Sequence, residues 1–114
     1  MSPADHPKSN LPDIAALAPE LMQEHAAEAA QLLKALANEQ RLHILCHLLD
    51  GPLSVGELNQ RLELSQSALS QHLAVLREQG MVQTRRESQT IYYRLADTTA
   101  MDIIKLLHAT YCEA

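Results

Sequence analysis

Residues 54–80 of the chain, SVGELNQRLELSQSALSQHLAVLREQG, contain the pattern that decides the fold. Ser54 and Glu57 have the spacing of a capping box, in which the serine and glutamate side chains each accept a hydrogen bond from a free backbone N–H at a helix start. This spacing predicts a short helix over about residues 55–62. A tight turn at residues 63–64 then leads into a second helical pattern.

The second helical pattern begins after Ser65, which can cap it, and extends through Gln79 to Gly80. A glycine just past the last turn fits the left-handed residue that commonly ends a helix. Leucines recur along one side of this helix at core spacing, namely Leu69, Leu73 and Leu76. Two helices separated by so short a turn predict a helix-turn-helix.

The chain before this motif predicts an arm followed by two helices. Residues 1–19 hold four prolines among polar residues, which indicates a flexible arm. A helical pattern of alanine, leucine and methionine covers residues 20–37, and another begins after Asn38, a favourable N-cap, and continues to Leu49. We therefore expect an arm over residues 1–19 and one folded domain over residues 20–114.

After the helix-turn-helix, the hydrophobic period changes from helical to alternating. Residues 81–86 and 89–95 are rich in β-branched and aromatic types, and they predict two strands joined near residues 87–88. A last helix is expected from Thr98 or Thr99 almost to the C-terminus. The predicted fold is mainly α with a small β-hairpin, a winged helix-turn-helix of five helices and a two-stranded wing.

Composition and charge limit the kind of binder this chain can be. Its 114 residues include no Phe or Trp and only three Tyr, so the core is expected to be thin, and a dimer interface would extend it. The net charge is −5, but residues 61–94 carry five arginines against three glutamates, a net of +2. A locally basic face on an acidic body favours a DNA binder that depends on specific contacts.

The first twenty residues do not resemble a secretory signal, because they mix charged residues with prolines, and no apolar run approaches the length of a membrane span. We therefore expect a cytoplasmic protein without a membrane partner. In that reducing compartment, Cys46 and Cys112 are not expected to form a permanent disulfide. Buried thiols, a metal site and a redox pair all remain open.

The side of the second motif helix that faces away from its leucines carries short or flat side chains. These are Gln66, Ser67, Ser70, Gln71 and Ala74. Such a face can enter the major groove, where glutamine pairs with adenine and serine donates or accepts a hydrogen bond. A solvated helix face would have a similar composition, but the position directly before an arginine-bearing hairpin favours base contacts.

Three further residues near this face are candidate DNA contacts. His72 lies beside the leucine stripe, where either packing or a phosphate contact would explain it. Arg85 and Arg86 lie near the predicted hairpin tip and are candidates for phosphate or minor-groove contacts. Ordinary exposed strand charges are the alternative for both arginines.

Three runs of the chain resemble the ArsR/SmtB family of winged-helix repressors. They are LANEQRLHIL at residues 36–45, LSQSALSQHLAVLR at residues 64–77 and GMV at residues 80–82. The resemblance extends over about residues 20–112. It implies a symmetric homodimer formed mainly by the first and last helices, which represses by occupying a palindromic operator in double-stranded DNA and leaves when an inducer binds.

Many members of that family sense metals, and their usual ligand sets are absent from this sequence. The thiolate site of arsenic- and cadmium-type sensors requires cysteines where residues 54–56 are Ser-Val-Gly. The zinc-type site of the last helix requires an Asp-x-His pair, and Asp102 is followed by two isoleucines. We therefore expect no metal and no cofactor.

A metal-responsive repressor nevertheless remains an alternative. His43 and His47 are four residues apart on one predicted helix, and His108 and Cys112 are four apart on another. This spacing places two side chains on one helix face, and imidazole with thiolate suits zinc or copper(I). Exposed or half-buried histidines are the simpler interpretation.

Cys46 and Cys112 match a dithiol subgroup of the family. Taken alone, Cys46 in its apolar run would be a small buried side chain. In the subgroup that BigR, SqrR and HlyU represent, one cysteine occupies this second-helix position and its partner lies in the last helix. The resemblance implies that persulfides, polysulfides or related oxidants act as the inducer by bridging the two sulfurs, after which the operator is released.

Two alternatives belong to other functional classes. A thiol enzyme is disfavoured because the sequence has no Gly-rich phosphate loop, no acidic pair in an evident pocket and no Cys-His-Asn set. A winged helix that contacts only proteins would carry apolar or acidic residues where this chain has Ser67, Ser70 and Gln71. The sequence therefore predicts a DNA-binding repressor without enzymatic activity.

Overall fold

The computed structural model describes residues 19–112. Five α-helices and three strands follow one another in this range: α1 (Pro19–Leu36), α2 (Glu39–His47), β1 (Leu53–Ser54), α3 (Val55–Arg61), α4 (Gln66–Glu78), β2 (Val82–Glu87), β3 (Thr90–Leu95) and α5 (Thr99–Tyr111). This order confirms the predicted winged helix-turn-helix. The predicted arm lies outside the described residues except for Pro19, and none of the described helices is long and apolar enough to cross a membrane.

The chain divides into two compact units, and the boundary after Ala30 falls within α1. In the first unit, residues 19–30 are helical, and His25 Nδ1 lies 2.9 Å from the Glu28 carboxylate. Leu21 and Met22 are each 58% exposed, so this part of α1 presents large apolar side chains to solvent. The second unit contains the helix-turn-helix, the hairpin and α5.

The three predicted N-caps are all confirmed. Asn38 accepts a hydrogen bond from the backbone N–H three residues later at 3.0 Å, and Ser65 does the same at 3.1 Å. Ser54 accepts from the backbone N–H of Glu57 at 3.1 Å, while the Glu57 carboxylate accepts from that of Ser54 at 2.9 Å. The helix starts are therefore set by contacts that span only three residues.

The C-terminal ends of α2 and α4 differ. After His47 the chain tightens into a 3-10 turn over Leu48–Asp50, so α2 ends before the predicted Leu49. At α4, Gly80 has a φ of 72° and its N–H donates to a carbonyl three residues earlier at 3.0 Å. The next N–H, from Met81, donates to the carbonyl of Leu76 at 2.9 Å, which completes the Schellman motif that Gly80 predicted.

The sheet has three antiparallel strands in the order β1-β3-β2. The strand β1 was not predicted, because two residues are too few to show an alternating pattern. The hairpin turn was predicted one residue early, since Glu87 pairs with Thr90 and the turn is therefore Ser88-Gln89. Ser88 has a φ of 59°, the positive value that tight hairpin turns require at their first central residue.

One hydrophobic core joins the helix-turn-helix to α2, the hairpin and α5. Its fully buried large side chains are Ile44, Leu45, Leu58, Leu69, Leu73, Leu76, Met81 and Ile104. Leu42 and Leu49 are only half-buried, while Ile44 is completely buried. The core therefore holds the leucine side of α4 and leaves its other side outward.

Candidate nucleic-acid interface and thiol pair

The helix α4 has one buried side and one exposed side. Leu69, Leu73 and Leu76 are at most 2% exposed. The other side, called the contact face below, carries the predicted contacts Gln66, Ser67, Ser70 and Gln71 together with Ala74, and all five are exposed. Their short side chains allow the helix backbone to approach base edges.

The two hairpin arginines belong to opposite faces of the sheet. Directly opposed residues of an antiparallel pair share a face, and neighbours along a strand alternate. Arg85 is opposite Tyr92, and Arg86 is opposite Ile91. Arg85 Nη2 lies 2.8 Å from Oε2 of Glu87, whereas exposed Arg86 forms no ion pair within residues 19–112. Of the two hairpin arginines, Arg86 is therefore the one without a carboxylate partner among the described residues.

A shallow basic cleft at the C-terminal end of α4 was not predicted from the sequence. Its volume is about 700 Å³, and three arginines line it: Arg77, Arg85 and Arg94. Arg77 comes seven residues after Ser70, so it continues the contact face by two helical turns. This spacing was visible in the sequence, but the hairpin register that places Arg94 opposite Gln83 was not.

His72 uses both ring nitrogens inside the protein. Nε2 lies 2.8 Å from Oε1 of Gln40, and Nδ1 lies 3.5 Å from Nη1 of Arg41. Burial and, secondarily, the Arg41 guanidinium lower the pKa of His72 below its usual range. These contacts support the packing alternative for His72, and its contact with DNA stays a prediction.

Cys46 and Cys112 are both free thiols, and they differ in accessibility. Cys46 is half-buried on α2, whereas Cys112 is exposed at the C-cap of α5. Burial and, secondarily, the charge of Cys112 raise the pKa of Cys46 above its usual range. The charge of Cys112 therefore reaches Cys46, and the pairing of the two cysteines in one sensing site stays a prediction.

The histidines of the metal alternative do not belong to a complete set of metal ligands within residues 19–112. His43 and His47 line a cleft of about 450 Å³ together with Glu39 and Glu63. Within residues 19–112, however, no three His, Cys, Asp or Glu side chains are grouped so that they could hold a metal ion. The histidine pair therefore gives the metal alternative no further support.

Comparison with known proteins identifies the family. A family model described as "Bacterial regulatory protein, arsR family" matches residues 38–84, from the N-cap of α2 into β2. The transcriptional activator HlyU of Vibrio cholerae serotype O1 is 61% identical over 93 residues, which cover 82% of this chain and 86% of that protein. The chain belongs to the arsR family. Another arsR-type relative, the biofilm growth-associated repressor of Agrobacterium fabrum, is 50% identical and covers 80% of this chain and 78% of its own length.

Solved structures agree with this arsR-family assignment. Reduced HlyU from Vibrio cholerae N16961 superposes with a TM-score of 0.77 at 60% identity, covering 82% of this chain and 99% of that one. The homodimeric winged helix-turn-helix DNA-binding domain of Mb0332 from Mycobacterium bovis, a possible ArsR-family regulator, superposes with a TM-score of 0.70 at 28% identity and covers 83% and 88%. The chain is therefore a DNA-binding transcriptional regulator and not an enzyme.

Proposed function

We propose that this arsR-family protein is a dimeric cytoplasmic repressor that releases a palindromic operator when reactive sulfur species bridge Cys46 and Cys112. The observation that supports the proposal is the pair of free thiols, half-buried Cys46 on α2 and exposed Cys112 at the end of α5. Neither cysteine belongs to the contact face. DNA binding by the reduced protein is therefore expected to be independent of the two sulfurs.

Binding to DNA is assigned to α4 and the hairpin. Gln66, Ser67, Ser70 and Gln71 would contact base edges, because all four are exposed on the outward side of α4. Arg85 and Arg86 would contact phosphates or the minor groove. The basic cleft adds Arg77 and Arg94 as further phosphate contacts.

A homodimer is supported by the apolar surface of α5 and by a relative. Leu106 is 63% exposed and Tyr111 is 81% exposed on that helix. Large apolar side chains exposed in this way mark an interaction surface. The Mycobacterium bovis relative is described as homodimeric, and a second copy of this chain is therefore the proposed partner.

The accessible thiol is the proposed site of the first reaction. The Cys112 thiolate attacks the outer sulfur of a persulfide RSSH, which forms Cys112–S–SH and releases RS⁻. The Cys46 thiolate then attacks Sγ of Cys112, which forms the disulfide and releases HS⁻. Two thiols thus lose two electrons, and the added sulfur leaves as sulfide, so no other oxidant is required.

A longer bridge can form from the same reagents. If both cysteines acquire an added sulfur, the two persulfides condense to a trisulfide and release one H₂S. Such a bridge spans a wider gap than a disulfide, whose geometry is strict. The raised pKa of Cys46 keeps that thiol largely protonated at neutral pH, so its attack is expected to be the slower step.

The position of the bridge explains how DNA would be released. Cys46 lies on α2, and Cys112 ends α5, the helix whose exposed Leu106 and Tyr111 support the dimer. A covalent link between these helices would change how the two recognition helices of a dimer are spaced. Since both must enter the major groove together, altered spacing lowers operator affinity.

We propose that the protein represses transcription, although its two relatives are named for opposite effects. The Agrobacterium fabrum protein is named a repressor and the Vibrio cholerae protein an activator. A structure of the Vibrio protein is described as reduced, which supports a role for redox state in this group. Deleting the gene should raise transcription from the bound promoter, whereas a fall would identify an activator.

The proposal is tested with Cys46→Ser and Cys112→Ser. Each variant should bind operator DNA as tightly as the reduced wild type but should not release it on treatment with persulfide or polysulfide, because a bridge requires both sulfurs. Gel-shift titration measures release, and mass spectrometry of the treated wild type should show a disulfide or added sulfur atoms between the two cysteines. A chelator should leave wild-type binding unchanged.

Two outcomes would overturn this mechanism. If Cys112→Ser kept the full sulfur response, modification of Cys46 alone would cause release. If stoichiometric zinc or copper released the DNA while sulfur donors did not, the metal alternative would replace the sulfur proposal.

A further inference from the structure

Arg41 of α2 contacts both a preceding and a following helix. Its Nε donates to the carbonyl of Ala35 at 2.6 Å, and Nη2 donates to that of Lys34 at 3.4 Å, so the guanidinium caps the last turn of α1. Its Nη1 lies 3.5 Å from Nδ1 of His72 on α4. One side chain therefore joins the end of α1 to the recognition helix through α2.

The chemistry of Arg41 decides where His72 carries its proton. A guanidinium can only donate, so Nδ1 of His72 must accept, and a neutral ring then has its hydrogen on Nε2. That Nε2–H donates to Oε1 of Gln40 at 2.8 Å. An imidazolium would instead turn an N–H toward the guanidinium and lose the contact with Arg41.

The helix α2 carries this cluster at one end and a thiol at the other. Gln40 and Arg41 lie in its first turn, and Cys46 lies in its last. On the other side of the cluster, His72 directly follows Gln71 of the contact face. His72 therefore offers a path by which a displacement of α2 on bridging would reach α4.

We propose that Gln40, Arg41 and His72 form a joint that fixes α4 against α2 and transmits bridging of the thiols to the contact face. His72 is then a positioning residue and not a DNA contact. The transmission step rests on the proposed function, whereas the fixing of α4 does not.

The experiment compares the dissociation constants of the reduced and the bridged protein for one DNA duplex, selected by the full-length wild type from random sequence. Allosteric coupling typically changes affinity by about 5- to 150-fold, so the wild-type ratio should lie in that range. His72→Ala should lower the reduced affinity and bring the ratio close to one. In His72→Asn the short amide side chain stays near Arg41, and in His72→Gln the longer amide side chain still reaches Gln40. Each variant should therefore retain a ratio between one and the wild-type value.

Two controls separate the joint from other effects. Gln71→Ala removes a proposed base contact, so it should weaken both forms by roughly 5- to 150-fold and leave the ratio unchanged. His25→Ala replaces an exposed histidine whose ion pair within residues 19–112 is with Glu28 of its own helix, so it should change neither affinity nor ratio. Circular dichroism establishes that each variant is folded before binding is compared.

The outcomes distinguish the joint from the proposed function. If His72→Ala weakened both forms equally and reduced the salt dependence of binding, His72 would be a phosphate contact and the joint would be wrong. Nitrogen-15 NMR of the wild type should show His72 protonated at Nε2 and not at Nδ1 near neutral pH, and the opposite tautomer would also overturn the joint. If the bridged and the reduced wild type had equal dissociation constants, both the sulfur proposal and the transmission step would be wrong. The tautomer of His72 and the affinity of the reduced His72→Ala variant would still test whether His72 fixes α4.

Discussion

At the scale of single residues, Arg85 and Arg86 are neighbours with different surroundings. Arg85 is already paired with Glu87, and Arg86 has no ion pair within residues 19–112. Arg86→Ala should weaken binding to all DNA sequences and reduce the slope of log affinity against log salt by about one, because each phosphate contact releases a counterion. Arg85→Ala, the matched control, should have a smaller effect. Fluorescence anisotropy over a potassium chloride series measures both slopes, and an unchanged slope for Arg86→Ala would place it away from phosphate.

The lowered pKa of His72 also predicts how the stability of the protein depends on pH. Its pKa in the folded protein is lowered by burial and then by Arg41, so below about pH 6.5 the unfolded chain binds a proton that the folded chain does not. The free energy of unfolding should therefore fall as the pH drops from that value toward the folded pKa. His72→Gln should show a shallower fall in urea titrations between pH 7 and pH 5. Parallel curves for the two proteins would show that His72 does not contribute.

Individual residues were predictable from the sequence where their partners lie nearby along the chain. Ser54 and Ser65 cap helices by bonds to the third residue after each, and such bonds follow from local geometry. The partners of His72 are 31 and 32 residues away, so no local pattern indicated that its ring would contact α2.

At the scale of elements, two glycines give a matched pair of substitutions. Gly80 ends α4 with a φ of 72°, while Gly56 lies inside α3. Gly80→Ala should lower the free energy of unfolding by about 1 kcal/mol or more, because a side chain is strained in the left-handed region even though no atom crowds it. Gly56→Ala should raise it by about 0.4–1 kcal/mol, since its Cβ would meet only Ser54 Oγ at 3.9 Å. Thermal or urea unfolding measures both, and equal changes would contradict the role of Gly80.

The elements themselves were predicted best where the pattern was long. The leucine stripe of α4 is confirmed because three positions repeat at helical spacing and all three are buried. The strand β1 was missed since its pairing with β3 depends on residues about forty positions later in the chain. The turn at Ser88-Gln89 was displaced by one residue, because neither side of it contains a glycine or proline that would fix the register.

At the scale of the whole molecule, the proposed dimer predicts the layout of the operator. Two recognition helices that enter successive major grooves require half-sites about 10–11 base pairs apart, or a multiple of that spacing. Selection from random DNA followed by sequencing measures this spacing, and inserting five base pairs between half-sites should abolish tight binding. A protein that sediments as a monomer at micromolar concentration, with and without DNA, would contradict the dimer.

Ser54 belongs to two elements at once, and this has a consequence for the DNA. Its backbone is paired with Tyr92 of β3, while its side chain caps α3. The sheet and the helix-turn-helix therefore share Ser54, with no linker residues between them. Because the hairpin and α3 are joined at Ser54, we expect the distance from α4 to the hairpin tip to change little when DNA binds. A duplex whose grooves do not match that distance must bend to make both contacts. The stiffness of the DNA between the contacted bases then contributes to the sequence specificity of binding.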